Sequence, residues 1–343
     1  MLPTRIESTE QLDDLLSEPT EAVVETMRQL EGDLILLGVG GKMGPTLARM
    51  AQKASRQAGR PRRVIGVSRF SDPAARAKLE AWEIETLQAD LLDESAVAAL
   101  PDVPNVLFMT GMKFGSSGNA SMTWAMNTYA PAITARRYAG SRIAAFSTGN
   151  VYPLVPVTGG GSIESDPMQP LGEYAMSVLG RERIFDHFSR TLPTPMTLIR
   201  LNYACELRYG VLVDLAQKVW NETPIDLGMG MFNVIWQGDA NAMALCALGE
   251  CQSPPSILNV SGPEMLSVRR VAEQFAARLD KPLTLTGEEA PEALLNNGQA
   301  GHRRYGYPRV PAQQLIAWIA DWIARGGETL GKPTKFEVTD GRF

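Results

Sequence analysis

Histidine and cysteine are scarce in this chain of 343 residues, which holds two of the first and three of the second. His187 and His302 are too few for most zinc sites and for a Ser-His-Asp relay. Cys205, Cys246 and Cys251 are odd in number and unrelated in spacing, so they form neither a disulfide framework nor a Cys-x-x-Cys metal motif. No metal site is expected. Surplus positive charge is also missing. The formal net charge is −5, which argues against a general nucleic-acid surface. No apolar run approaches twenty residues, and no apolar leader precedes a small-residue cleavage site, so the expectation is a cytoplasmic protein with no membrane partner.

What is present suits a large α/β unit. Apolar residues make up 44% and charged residues 21% of the chain, enough for a sizeable core. The stretch Asp33-Leu-Ile-Leu-Leu-Gly-Val-Gly-Gly-Lys-Met-Gly44 reads as a buried strand breaking into four glycines, followed by a helix from Pro45. A dinucleotide-binding βα turn needs that order: one glycine for the tight turn, one for close approach to a pyrophosphate, one for helix-on-strand packing. Two registers fit: Gly38 and Gly40 with an irregular third, or Gly38, Gly41 and Gly44.

Strands and helices alternate from there. Strands are expected at Arg63–Ser68, Glu85–Asp90, Asn105–Gly111, Arg142–Thr148, Met196–Arg200 and Ile257–Val260, with helices between most of them. This predicts a Rossmann-type doubly wound parallel sheet with ligands beyond the carboxyl ends of the strands. Residues 1–32 read as an N-terminal helical extension that packs on the sheet edge or joins a subunit contact. Residues 33–200 read as the nucleotide-binding domain. Residues 201–343 read as a smaller C-terminal substrate lobe, with helices at Ser267–Leu279 and Ala312–Arg325 and one further sheet strand near 257–260. The second strand ends Ser68-Arg69 with no acidic residue until Asp72, which favours NADP over NAD as cofactor. The alternative is that Arg69 is a solvated loop cation. Asp90-Leu91 is placed either to meet an adenine or to cap the next helix.

The order of motifs resembles the extended short-chain dehydrogenase/reductases, the NAD-dependent epimerase/dehydratase family of sugar-modifying enzymes. The matching residues are Gly38-x-x-Gly41-x-x-Gly44, Asp90-Leu91, Asn127, Ser147-Thr148-Gly149-Asn150-Val151-Tyr152, Tyr174 with Ser177, Leu198-Ile199-Arg200 and Asn259-Val260-Ser261-Gly262. The resemblance selects the evenly spaced glycine register and makes Lys42 and Met43 backbone contacts to the pyrophosphate. It implies that Thr148 orients the substrate oxygen, Tyr174 is the acid/base and Asn127 helps hold a relay water. Thr110 and Gly111 would border the nicotinamide, and Asn150, Asn202 and Tyr203 would contact substrate. It also implies a homodimer built through two helices.

One position departs from the family. The lysine expected four residues after the tyrosine is Val178. A cation about 5 Å from the phenol at an effective dielectric near 20 would stabilise the phenolate by roughly 3 kcal/mol, about two pKa units. Lys113, just past the fourth strand, is the first candidate replacement. Arg181, two turns beyond Tyr174, is the second. The leading expectation is an NAD(P)-dependent oxidoreductase or epimerase acting on a sugar-like polyhydroxylated small molecule. The alternative is a catalytically degenerate dinucleotide-binding sensor or assembly subunit. A dehydratase ranks last, because no Asp/Glu pair lies beside Thr148.

Overall fold

The computed structural model describes residues 2–342 except residue 114. Its centre is a seven-stranded parallel sheet. The strands are β1 (Leu34–Leu37), β2 (Val64–Ser68), β3 (Glu85–Gln88), β4 (Asn105–Phe108), β5 (Arg142–Thr148), β6 (Met196–Leu201) and β7 (Ser256–Val260), in the spatial order β7-β6-β5-β4-β1-β2-β3. All four residues of β1 are buried, as a central strand covered on both faces requires, whereas β3 alternates toward solvent at the edge. The order reverses between β1 and β4, and the crevice beyond their carboxyl ends is where ligands enter such sheets.

Two strands stop earlier than the sequence suggests. β3 ends at Gln88 and β4 at Phe108. For β4 the last ladder bond runs from the Met109 amide to the Leu37 carbonyl at 3.0 Å, the neighbouring strand then turns off at Gly38 (φ +96°), and the Thr110 hydroxyl bonds back to that same carbonyl at 3.2 Å. The ladder therefore ends there, and Thr110-Gly111 leave the sheet as a loop.

Helices begin where short polar side chains cap them. Ser8 accepts from the Gln11 amide at the start of α1 (Thr9–Leu16), and Thr20 from the Val23 amide at the start of α2 (Glu21–Gln29). The helix after the glycine turn, α3 (Gly44–Gln57), has no such side-chain cap: the Gly44 amide donates to the Gly41 carbonyl at 3.2 Å, and Pro45 has no amide hydrogen to satisfy. The segment after β4 is helical over Ala120–Trp124, widens to a π turn over Ala125–Tyr129 and resumes at Ala130–Arg137. Asn127 sits in the π turn. The long helix after β5 is α4 (Gly172–Thr191).

Beyond β6 the chain forms α5 (Val211–Trp220), α6 (Gln237–Cys246), α7 (Val268–Leu279) and α8 (Ala312–Ala324), with short paired strands such as Met231–Phe232 against Leu266–Ser267. Of these, α5, α7 and α8 share an apolar core that includes Leu215, Phe232, Trp236, Phe275, Trp318 and Phe336, whereas α6 joins the core of β1, α2 and α3 through Met243 and Leu245. The Trp236 and Trp318 rings meet edge to face at 5.7 Å. Ile6, Leu12 and Leu16 of the N-terminal segment belong to this same core. Asp13 also pairs with Arg208 at 3.2 Å, and the Asn241 amide reaches the Leu16 carbonyl at 3.2 Å. The extension thus packs against the C-terminal half, on the side of α3 and α6, and not along a sheet edge.

Candidate functional site

The glycine turn fits a dinucleotide in its local geometry. Gly38 has φ +96°, and a Cβ there would lie 2.3 Å from the Thr110 hydroxyl. A Cβ on Gly44 would lie 2.0 Å from the Val39 carbonyl oxygen, so only glycine lets α3 pack this close to the strand end. Gly41 differs: its added Cβ would meet only the Gly38 oxygen at 3.5 Å, leaving room for a ligand. Gly38, Gly44 and Gly41 thus meet the three demands the sequence places on this turn: a tight bend, close helix packing and open space. Gly40 lies against the Ser68 side chain, to which a Cβ would come within 2.5 Å.

Two cavities meet at this turn. One, of about 260 Å³, is lined by Gly38, Gly41, Ser68, Arg69, Asp90, Leu91, Thr110 and Gly111. Asp90 accepts from the Leu92 amide at 3.0 Å, while the following short helix is capped by Asp93. The other, of about 460 Å³, is lined by Gly41, Lys42, Met43, Gly111, Lys113, Thr148, Asn150, Tyr174, Asn202 and Tyr203. The sequence-derived candidates therefore converge on one continuous crevice, with Gly44 and Asn127 just behind its walls.

Thr148 ends β5, and its hydroxyl bonds the Asn150 amide at 3.2 Å and Oδ1 at 3.0 Å. Tyr174, in the first turn of α4, lines the same cavity as Thr148. Burial raises the Tyr174 phenol above its ordinary range, against the lowering pull of Thr148 and of the Arg181 guanidinium. Val178 is buried against Val151 and Tyr152 in a small apolar cluster. Asn202 is buried, donating to Asn233 Oδ1 at 3.0 Å, and the adjacent Tyr203 is held at φ +40°.

Asn127 is completely buried. Its Oδ1 accepts from the Met112 amide at 2.9 Å, and its Nδ2 donates to the Met112 carbonyl at 3.0 Å and Ser177 Oγ at 2.9 Å. The loop after β4 is thus pinned to the π turn and to α4. A π turn at such a point widens the helix and re-aims its side chains.

Sequence reasoning passed over Lys332 and Thr334 of the larger cavity. Tyr209, which the sequence offers either as a residue facing substrate or as part of an ordinary helix start, presents its ring to the Lys42 ammonium, 3.1 Å from the ring centroid. Lys332 and Thr334 enter from the C-terminal tail, and the Thr334 carbonyl accepts from Lys113 at 3.3 Å. Thr334 itself is fixed by Asp214, which accepts from its amide at 2.8 Å and from its hydroxyl at 2.5 Å. Burial and the neighbouring Lys113 and Lys332 charges push the Lys42 ammonium down to about 7. Burial pushes Lys113 down to about 8, against the pull of Asp214. Among the described residues, no cluster of His, Cys, Asp and Glu is arranged to hold a metal ion, and no helix is long and apolar enough to cross a membrane.

The sequence model of the NAD dependent epimerase/dehydratase family matches residues 34–204, from β1 to just beyond β6. This part of the chain belongs to that family. The family segment carries the glycine turn, Asn127, Thr148 and Tyr174, and the remaining cavity wall comes from the lobe that follows. Among solved structures, the fold is similar to UDP-glucuronic acid 4-epimerase from Bacillus cereus (TM-score 0.71, 15% identity, covering 85% of this chain and 99% of that one). It is similar also to the UDP-Glc/GlcNAc 4-epimerase of Campylobacter jejuni (TM-score 0.72, 19% identity, 86% and 100% covered). The dTDP-glucose 4,6-dehydratase of Streptomyces venezuelae is a third (TM-score 0.70, 18% identity, 85% and 97% covered). A comparison with curated protein sequences gives no match.

Proposed function

We propose that the protein is an NAD(P)-dependent oxidoreductase or epimerase acting on a small polyhydroxylated, sugar-like substrate. The observation that carries this reading is the placement of the Thr148–Tyr174 pair and the glycine turn on one crevice. Gly38, Gly41, Lys42, Met43 and Gly44 would hold the pyrophosphate. Ser68, Arg69, Asp90 and Leu91 would hold the adenosine, and Thr110-Gly111 would border the nicotinamide. With Arg69 and no carboxylate at the end of β2, the adenosine end favours NADP. When bound, the nicotinamide supplies hydride transfer, taking a hydrogen with its electron pair from a substrate carbon or returning it.

The chain's own residues do the rest. Thr148 and Tyr174 hold the substrate oxygen, and Tyr174 moves its proton. Asn127 fixes the loop that borders the reacting carbon, while Asn150, Asn202 and Tyr203 face the substrate hydroxyls. Lys42, Lys113 and Lys332 on the cavity wall favour a substrate bearing a carboxylate or phosphate. Lys113, with its ammonium 5.7 Å from the Tyr174 ring centroid, adds positive charge near the phenol. Lys113→Met leaving both turnover and cofactor affinity unchanged would remove it from this role. The supporting relatives in the fold include sugar-nucleotide epimerases.

The second reading is a dinucleotide-binding sensor or assembly subunit without turnover, favoured by Val178 in the lysine position. One experiment separates the two. NADPH and NADH are titrated into the protein and followed by nicotinamide fluorescence, and a panel of sugar acids, keto-sugars and sugar phosphates is then screened for oxidation or epimerisation. Binding with turnover supports the enzyme. Binding without turnover across the panel supports the sensor. The absence of any binding would defeat both.

A further inference from the structure

Arg181 lies two helical turns beyond Tyr174 on α4 and is 4% exposed. A long side chain on a helix bends back toward the N-terminus, so its charged end lies level with residues about a turn earlier. That is the geometry here. Arg181 Nη2 donates to Asn127 Oδ1 at 2.8 Å, and the same Asn127 side chain donates to Ser177 Oγ at 2.9 Å. The guanidinium therefore sits at the level of Ser177, the immediate neighbour of Val178.

Its other bonds go to the Asn127 carbonyl at 3.3 Å and the Phe146 carbonyl at 2.7 Å, so all three acceptors are neutral oxygens. The Phe108 ring centroid lies 5.4 Å from the guanidinium carbon. A cation buried against neutral groups is costly, and burial pulls it down to about 10. The wall between it and the crevice is thin. A Cβ on Gly111, which lines both cavities, would come within 2.7 Å of Nη2. Only a glycine backbone separates this charge from the place where nicotinamide, substrate and phenol meet. Tyr174 is raised by burial and pulled back by this same cation.

We propose that Arg181 takes over, from two turns down the helix, the electrostatic role that Val178 does not fill. It is a positioning residue that stabilises the charged form of Tyr174 through space and holds the Thr110–Lys113 loop through Asn127. The proposal deepens the oxidoreductase reading and rests on it for its catalytic meaning, but the coupling between Arg181 and Tyr174 is measurable without turnover. It also gives Val178 a reason: with a guanidinium arriving from below, an ammonium at 178 would place a second cation in the same low-dielectric space.

The test uses full-length protein grown with a fluorinated tyrosine whose phenol titrates within the folded range. The Tyr174 fluorine resonance is assigned by its loss in Tyr174→Phe and followed by NMR against pH. Arg181→Met should raise the Tyr174 midpoint by about one unit or more, as loss of a nearby charge in a medium of effective dielectric near 20 requires. Arg181→Lys should keep most of the wild-type value. Arg181→Gln keeps amide donors for Asn127 and Phe146 without the charge. It should match the methionine variant, and it serves if that variant folds poorly. The decisive arm adds Val178→Lys to Arg181→Met, which should bring the midpoint back toward wild type. A folded Arg181→Met or Arg181→Gln protein with an unmoved midpoint would overturn the proposal. So would a shift that Val178→Lys fails to reverse, because Arg181 would then be a structural peg. If no substrate in the panel turns over while the midpoint moves as expected, the enzyme reading falls and the coupling stands.

Discussion

At the scale of single residues, the crevice is governed by where a charge or a missing side chain sits. Lys42 near 7 and Lys113 near 8 lose their protons across the neutral range. An anion in the larger cavity favours their protonated forms, so its affinity should be highest below about pH 7 and fall as pH rises through both values, by up to tenfold per unit for each lysine. Calorimetric titration with a sugar phosphate at several pH values checks this, and Lys42→Met should flatten the profile. Gly38 tests the turn. Replacing it with alanine strains a φ of +96° and drives a Cβ into Thr110, so stability should drop by about 1–3 kcal/mol and nicotinamide fluorescence enhancement should disappear. The glycines were legible in the sequence because backbone constraints leave a residue-level signature. Lys332 and Thr334 were not, because nothing local in their segment marks them as neighbours of a turn about 290 residues upstream.

At the scale of elements, the site depends on the fit of α4 to the carboxyl ends of β5 and β6. Glu182 on α4 accepts from Ser147 on β5 and from Arg200 on β6, at 3.0 Å from Nε and 2.8 Å from Nη2. Arg200 in turn bonds the Tyr152 hydroxyl at 2.7 Å. Both members of the ion pair are nearly solvent-free, so removing one strands the other. Glu182→Gln should cost about 3–5 kcal/mol in denaturant unfolding. Because Tyr174 and Thr148 ride on the two elements it joins, catalysis should suffer at temperatures where the fold persists. The alternation of strands and helices made the sheet readable from hydrophobic pattern alone. The premature ends of β3 and β4 were not readable, since a local run of apolar residues says nothing about where the neighbouring strand stops, at Ser68 for β3 and at Leu37 for β4. Helix α1 also escaped notice. Its segment Thr-Glu-Gln-Leu-Asp-Asp-Leu-Leu has one buried turn and two aspartates, and Asp13 is accommodated by Arg208 and Lys78 from distant parts of the chain.

At the scale of the whole molecule, the C-terminal tail closes the crevice that the sheet opens. Phe336 is buried beside Phe232 with ring centroids 5.9 Å apart, the Lys218 ammonium pairs with Glu337, and Asp214 grips Thr334. Removing residues 332–343 should lower the melting temperature, because deleting one buried phenylalanine side chain alone costs about 3–5 kcal/mol. Dinucleotide affinity should change less than twofold, since among the described residues none of the tail lines the smaller cavity beside Arg69 and Asp90. Loss of that affinity in the folded truncation would place the tail in the cofactor site instead. A tail without regular structure offers no periodicity, so its role is visible only once the fold brings Lys332 and Thr334 against Lys113.

The N-terminal segment adds a constraint of timing. Ile6 accepts from Arg325, Pro3 from the Trp318 indole, and Glu18 from Arg309, each through its main-chain carbonyl. These partners are translated about 290 to 320 residues later. Nascent domains generally fold from the N-terminus forward. Here α1 can meet α3 early, through pairs such as Asp14 with Arg49, but the Pro3 and Ile6 carbonyls that flank it have no side-chain partner until α8 has left the ribosome. The sheet can assemble during synthesis, but the lobe that completes the substrate cavity is sealed only after translation has passed α8. Slowing elongation should therefore advance nucleotide binding on the nascent chain well before it advances closure of the substrate cavity.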